Sequence, residues 1–213
     1  MQVNAYRPNQ NQVSFSSTKI SRTVVRDMND MPVKAWFSRL NLSDPVDKEA
    51  MEKAKVQWKR QQEWNFANDI YDEFKIGQPV YAIELDSANG SLSDRLLCLA
   101  SHHTQNGTFR LDFLQSSPNS SFKALKEERK YKGAGTALMY GLVKIAELEK
   151  AKMFKLRSDT DDFYRILGMV ERNLHMTFDR HEMNDFLKRQ KAEFDLLLQK
   201  QPAKTEKMVS RCS

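Results

Sequence analysis

Between residues 79 and 114, three apolar runs are punctuated by two Asn-Gly pairs. Asn and Gly tolerate positive φ, the conformation that tight hairpins need. The runs are Pro79–Asp86 (PVYAIELD), Arg95–Ser101 (RLLCLAS) and Thr108–Leu114 (TFRLDFL), with Asn89-Gly90 and Asn106-Gly107 between them. This pattern predicts a run of antiparallel hairpins in the middle of the chain. The second run is apolar without alternation, as expected for a strand buried on both faces. In the third, Phe109, Leu111 and Phe113 share one face.

The flanks read as alternating elements. Lys19–Arg26 alternates enough to be a first strand. Asp44-Pro45 opens a helix, because Asp44 caps free N–H groups and Pro45 lacks one to leave unpaired. Val46, Ala50, Met51, Ala54 and Trp58, then Trp64, Ala67, Tyr71 and Phe74, recur at helical spacing up to Gly77 and Pro79, in one helix or two. Gln115–Ser121 is a loop, and the basic stretch Phe122–Lys132 has room for a short helix. A helix follows from Gly133, with Leu138, Gly141, Leu142, Ile145 and Leu148 inward. Met153–Arg157 is a strand, Asp161–Leu167 a short helix stopped by Gly168, and His175–Phe178 a short strand. Glu182–Lys200 is an amphipathic helix with Met183, Phe186, Leu187, Phe194, Leu197 and Leu198 inward. The expected fold is α/β, a mixed and mostly antiparallel central sheet flanked by helices. One domain is expected over residues 19–200, between a polar tail at 1–18 and a second tail at 201–213.

The bulk composition restricts function less. The chain has 213 residues, with 34 basic and 28 acidic side chains and a net charge of +6. That excess suits anionic partners such as a phosphorylated cofactor. The two cysteines, Cys98 in an apolar run and Cys212 near the end, suggest neither a disulfide framework nor a metal site. No apolar run approaches the roughly 20 residues that cross a bilayer. No membrane association is expected, and the cytoplasm is the default location.

The segment richest in chemistry is Lys130-Tyr131-Lys132-Gly133-Ala134-Gly135-Thr136. A helix start exposes unpaired N–H groups and the positive end of a dipole. Glycines let a ligand approach the backbone, and Lys130 and Lys132 add charge, so the segment suits a pyrophosphate. It is neither a P-loop nor G-x-G-x-x-G. Read from these residues alone, it is either a phosphate cradle or a tight helix start.

A second segment, Phe163-Tyr164-Arg165-Ile166-Leu167-Gly168-Met169, follows a strand some twenty residues later. Together the two segments resemble the GNAT acetyltransferases. That family carries Arg/Gln-x-x-Gly-x-Gly/Ala at a helix start, then a strand, then a short helix reading Tyr-x-x-x-Gly-Phe. Lys130–Gly135 matches the first motif and Tyr164–Met169 the second. Lys130 replaces Arg or Gln, Met169 replaces Phe, and the 115–129 link is longer than usual. Arg157 stands where the family often has Asn.

The resemblance implies direct acetyl transfer from acetyl-CoA, as co-substrate and without a metal, to a primary amine of a small molecule, peptide or protein. Lys130, Tyr131, Lys132, Gly133, Ala134, Gly135 and Thr136 would hold the pyrophosphate. The pantetheine arm would lie between strands 108–114 and 153–157, with Phe113, Leu114 and Gln115 near the acetyl group. Tyr164, which would also contact the cofactor, would protonate the departing thiolate. The amine must lose a proton, and Asp112 and Glu84 are the candidate bases, with His102 and His103 as further groups able to act on substrate. Two alternatives belong to other classes, a non-catalytic acyl-CoA-sensing or partner-binding module and a tRNA-directed acetyltransferase. Nucleic acid is not the expected partner, and a monomer and a homodimer are both compatible with the sequence.

Overall fold

The structure, a computed structural model, describes residues 17–58, 66–87, 90–121, 129–158 and 161–199. Trp64, the stretch 122–128 and the tails read at 1–18 and 201–213, apart from Ser17 and Thr18, lie outside the described residues.

A nine-stranded sheet forms the centre. Its strands are β1 (Thr18–Asp27), β2 (Pro32–Arg39), β3 (Val80–Leu85), β4 (Leu96–Gln105), β5 (Thr108–Ser116), β6 (Tyr131–Lys132), β7 (Met153–Leu156), β8 (Val170–Arg172) and β9 (His175–Asp179). They lie in the order β6-β1-β2-β3-β4-β5-β7-β9-β8. Every neighbouring pair is antiparallel except β5 with β7, which run parallel. The Asn106-Gly107 hairpin closes as its residue types demand, with φ of 52° and 75°.

Helices cover both faces. Helices α1 (Pro45–Gln57) and α2 (Phe66–Lys75) lie on one side. The Asp44 side chain accepts the Val46 N–H at 2.7 Å and caps α1. Met51, Trp58, Ile70 and Phe74 pack there on Val80, Ala82, Leu96 and Leu99. A four-residue α3 (Leu92–Arg95) precedes β4. On the opposite face sit α4 (Ala134–Leu148), α5 (Asp161–Ile166) and α6 (Arg180–Gln199). Leu138, Leu142, Phe154, Phe178 and Phe186 are among the side chains buried there. Each such large apolar side chain contributes roughly 1.5–3 kcal/mol by leaving water.

β4 feeds both cores, as its unbroken apolar run requires. Leu97, Cys98 and Ala100 face α4, while Leu96 and Leu99 face α1 and α2. A ladder of rings crosses the α4 side from Phe37 through Tyr81, His102, Phe109 and Phe154 to Phe178 and Phe186.

Several elements depart from the sequence reading. β2 went unread because its turn from β1 holds no glycine; Asp30 takes φ of 60° there, and Asp27 Oδ1 accepts the N–H groups of Asn29 and Met31. The short strands β6 and β8 carry too few residues to show a period. Leu148 and Leu198, expected inward, are exposed because each sits in the last turn of its helix.

Candidate active site

β5 and β7 pair only from Thr108–Met153 to Leu111–Leu156. β7 then ends, whereas β5 continues to Ser116 beside β4. Beyond Leu111, the β5 edge toward β7 therefore has no strand partner among the described residues. Such an edge offers backbone donors and acceptors to an extended ligand. The β4–β5 register shifts at the same place, since Ser101 faces Phe113 but His102 faces Leu111. Asp112 is the extra residue of this bulge, a device that re-aims side chains.

α4 begins just after β6 and meets α5, the helix that follows β7. Gly133 caps it at φ of 83° in the left-handed region, which explains glycine at a position where a Cβ would meet nothing. The helix ladder starts with Ala137 N–H donating to Gly133 C=O, so the amides of Ala134, Gly135 and Thr136 precede it. Gly135 serves close approach, because a Cβ there would come within 3.3 Å of the Phe163 ring on α5.

Preceding residues are already engaged. The Lys130 and Tyr131 N–H groups both donate to Asn119 C=O, at 2.7 and 2.9 Å. Lys132 Nζ lies 3.0 Å from Asp30 Oδ1, and Tyr131 and Lys132 pair with Asp27 and Arg26 as β6. Lys130 is exposed.

α5 starts just past the end of β7 and carries Tyr164 inward. Its ring meets Phe163 edge-on at 4.9 Å between centroids and is buried in the α4-side core. Burial, with the Cys98 thiol adding to it, holds the Tyr164 phenol well above its usual range. The phenol therefore keeps its proton at neutral pH. Cys98 itself is pushed up to about 12 by burial, which makes it an inert thiol.

Asp112 Oδ2 lies 2.7 Å from His103 Nδ1, and Arg110 Nε is 3.7 Å from Oδ1. A carboxylate on Nδ1 fixes the imidazole tautomer and leaves Nε2 as the acceptor. His103 is partly exposed. His102, one residue earlier, points the other way. Only 3% exposed, it is stacked 4.0 Å from Phe109, with no partner on either ring nitrogen.

Glu84 is not brought to this group. It is 1% exposed on β3, two strands from β5, on the face under α1. Its carboxylate accepts Ser38 Oγ–H at 2.5 Å and Ser17 Oγ–H at 3.4 Å, with Arg95 3.9 Å away. Gln115 is structural in its contacts. Its Oε1 accepts the Ala67 N–H at 2.5 Å and its Nε2 donates to Trp58 C=O at 3.4 Å, which ties α1 and α2 to β5. Phe113 packs 5.7 Å from Phe66 on that same face, and Leu114 packs on the α4-side core. The His103–Asp112 contact joins two residues that the sequence reading treated separately. The hairpin register places them near one another, but the bulge that completes the contact leaves no mark in the sequence.

No protein-family model matches the chain, and no curated protein matches it. Among solved structures, it is similar to a GNAT family acetyltransferase from Brucella melitensis in complex with acetyl-CoA, at 13% identity and a TM-score of 0.49 over 68% of this chain and 88% of that one. It is similar also to the ribosomal-protein-S18-alanine N-acetyltransferase from Escherichia coli, at 14% identity and a TM-score of 0.48 over 68% and 93%. A third is the PaiA N-acetyltransferase from Thermoplasma acidophilum in complex with coenzyme A, at 15% identity and a TM-score of 0.47 over 68% and 98%.

Proposed function

We propose that residues 19–200 form a single acetyltransferase domain of the GNAT kind, which moves an acetyl group from acetyl-CoA to a primary amine by direct attack. The observations that carry this reading are the glycine-built start of α4, in contact with α5, and the edge that β5 presents once β7 has ended. The first supplies anion-binding amides, and the second supplies an extended backbone edge. A coenzyme with a pyrophosphate and a strand-like amide arm needs both, next to each other.

In this reading the amides of Ala134, Gly135 and Thr136 hold the pyrophosphate. The arm runs along β5 past Phe113 and Leu114 toward the bulge at Asp112. The amine nitrogen attacks the thioester carbon and the C–S bond breaks. Tyr164 gives its phenolic proton to the departing sulfur. His103 Nε2 takes the proton from the amine, with Asp112 holding the imidazole and stabilising its charged form. An alkylamine of pKa about 10.4 is protonated at neutral pH, and freeing it costs roughly 4–5 kcal/mol, so a positioned base has a task. Glu84, bonded to two serines beneath α1, has no part in this scheme.

Steady-state acetylation of a panel of amines tests the reading. Tyr164→Phe should lower kcat by about 10²–10⁴ with the KM for acetyl-CoA little changed, as for loss of a general acid. His103→Gln should lower kcat with the KM for acetyl-CoA little changed, as for loss of a general base. Unchanged kcat in Tyr164→Phe would refute the acid assignment. Coenzyme binding with no turnover of any amine would instead favour a non-catalytic acyl-CoA-binding module.

A further inference from the structure

At the β1 end of the sheet, β6 pairs with β1 only at Arg26 and Asp27. From Thr18 to Val25 the outer edge of β1 therefore has no strand partner among the described residues. Thr18, Lys19, Ile20 and Arg22 are exposed there, and Ser21 is half-buried. β3 and β4 separate the β1–β2 hairpin from β5 and the candidate active site.

One face of this hairpin is basic. Lys19 Nζ stands 4.9 Å and the Arg22 guanidinium 5.3 Å from the centroid of the Trp36 ring. Three positions apart on a regular strand, these two side chains would point to opposite faces. A bulge brings them together: Lys19 faces Ser38 and Ser21 faces Phe37, which leaves Ile20 as the extra residue. Lys34, two residues before Trp36 on β2, shares the face and is exposed. Ala35 and Phe37 point the other way, into the α4-side core, and the core beneath α1 and α2 draws no side chain from β1 or β2. Among the described residues no ion pair reaches Lys19, Arg22 or Lys34, whereas Lys53, Lys75, Lys132 and Arg172 each have one. The tails bring no surplus of negative charge: residues 1–16 hold Arg7 and no acidic side chain, and 201–213 hold Lys204, Lys207 and Arg211 against Glu206 alone. A second copy would meet this edge with the same cations, and like charges across a strand pair repel.

We propose that the outer edge of β1 docks an extended acidic segment of another protein. The segment adds a strand to β1 through main-chain hydrogen bonds. Its alternate side chains, about 7 Å apart, bring carboxylates to Lys19 and Arg22, and Lys34 adds to the field. A nucleic acid fits less well. Its backbone lacks the alternating donors and acceptors that match a strand edge, and the Trp36 ring already carries two cations where a base would stack. The docking surface does not depend on the acetyltransferase reading.

Fluorescence anisotropy with the full chain tests this. The labelled probes are a short peptide of alternating Glu and Val, the same peptide methylated on every backbone nitrogen, its counterpart with Lys for Glu, and oligothymidylate. Each is titrated with wild type and with the double variant Lys19→Glu, Arg22→Glu, whose two positions are exposed, so that folding is not endangered. The Glu peptide should bind wild type at least about tenfold more tightly than it binds the variant, and than wild type binds the Lys peptide. Methylation should abolish binding, because it removes the donors that pair with the edge. Equal binding of the methylated peptide would mean charge attraction without strand pairing and would overturn the proposal. Equal affinity in the variant, or no binding of the Glu peptide to wild type, would overturn it as well. Binding of oligothymidylate in place of the peptide would overturn it and assign the face to nucleic acid.

Discussion

His102 ties the ring ladder to the pH dependence of stability. The imidazole is 3% exposed between Tyr81 and Phe109, with neither nitrogen bonded. Burial pushes its pKa down from 6.5 to about 4, with the charges of Arg39 and His103 adding to the effect. A lowered folded-state pKa means that the unfolded chain takes up the proton first as pH falls. The stability that His102 supports is therefore complete above pH 6.5 and is lost as pH falls from there toward 4. With these two values the loss is about 2 kcal/mol at pH 5, and about 3 kcal/mol in full. His102→Phe extends the ladder with a ring that cannot titrate. Urea unfolding of both proteins at pH 8 and pH 5 reads the difference. The variant should gain about 2 kcal/mol on wild type between those two conditions. The comparison cancels Asp47, which changes stability in the opposite direction and equally in both chains. If the gap between variant and wild type is the same at pH 8 and pH 5, His102 is solvated or bonded, and the reasoning fails.

Two further outcomes follow from packing and charge. Gly141 on α4 faces Phe37, and a Cβ there would lie 2.5 Å from the ring, which is itself stacked on Tyr81 at 5.3 Å; Gly141→Ala should gain about 1 kcal/mol of helix propensity but lose more to overpacking, leaving the protein roughly 1–2 kcal/mol less stable by urea midpoint, and a stabilised variant would contradict this. Asp47 is fully buried with Oδ1 unpartnered, and burial pushes its carboxyl from 3.8 up to about 6, with the Asp44 and Glu84 charges raising it and the Asn41 N–H opposing. A raised acid pKa adds stability that is complete below pH 3.8 and gone above 6, so Asp47→Asn should stabilise at pH 8 by up to about 3 kcal/mol relative to its effect at pH 3.5, and a pH-independent difference would count against the assignment.

The fold was legible where one residue type dictates one local geometry. Asn106-Gly107 fixed a hairpin, Asp44-Pro45 a helix start, and the unalternating run of β4 a strand buried on both faces. It was not legible where tertiary contacts decide. Asp30 adopts its left-handed turn with help from hydrogen bonds to Asp27, so β2 stayed hidden although Val33, Ala35 and Phe37 alternate. The glycines of the α4 start and Tyr164 stood out through their types and spacing. The ring ladder and the His103–Asp112 contact depend on strand register, and the enclosure of Glu84 depends on which face of β3 α1 covers.

The start of α4 as a coenzyme site is tested by titrating acetyl-CoA calorimetrically into wild type and Gly135→Glu, with circular dichroism to confirm that both are folded. A Cβ at this position presses on Phe163, and a carboxylate there opposes the incoming phosphates. Micromolar binding to wild type, lost in Gly135→Glu, is the predicted result. Binding absent from wild type, or equal in both proteins, would contradict the placement of the coenzyme at this helix start.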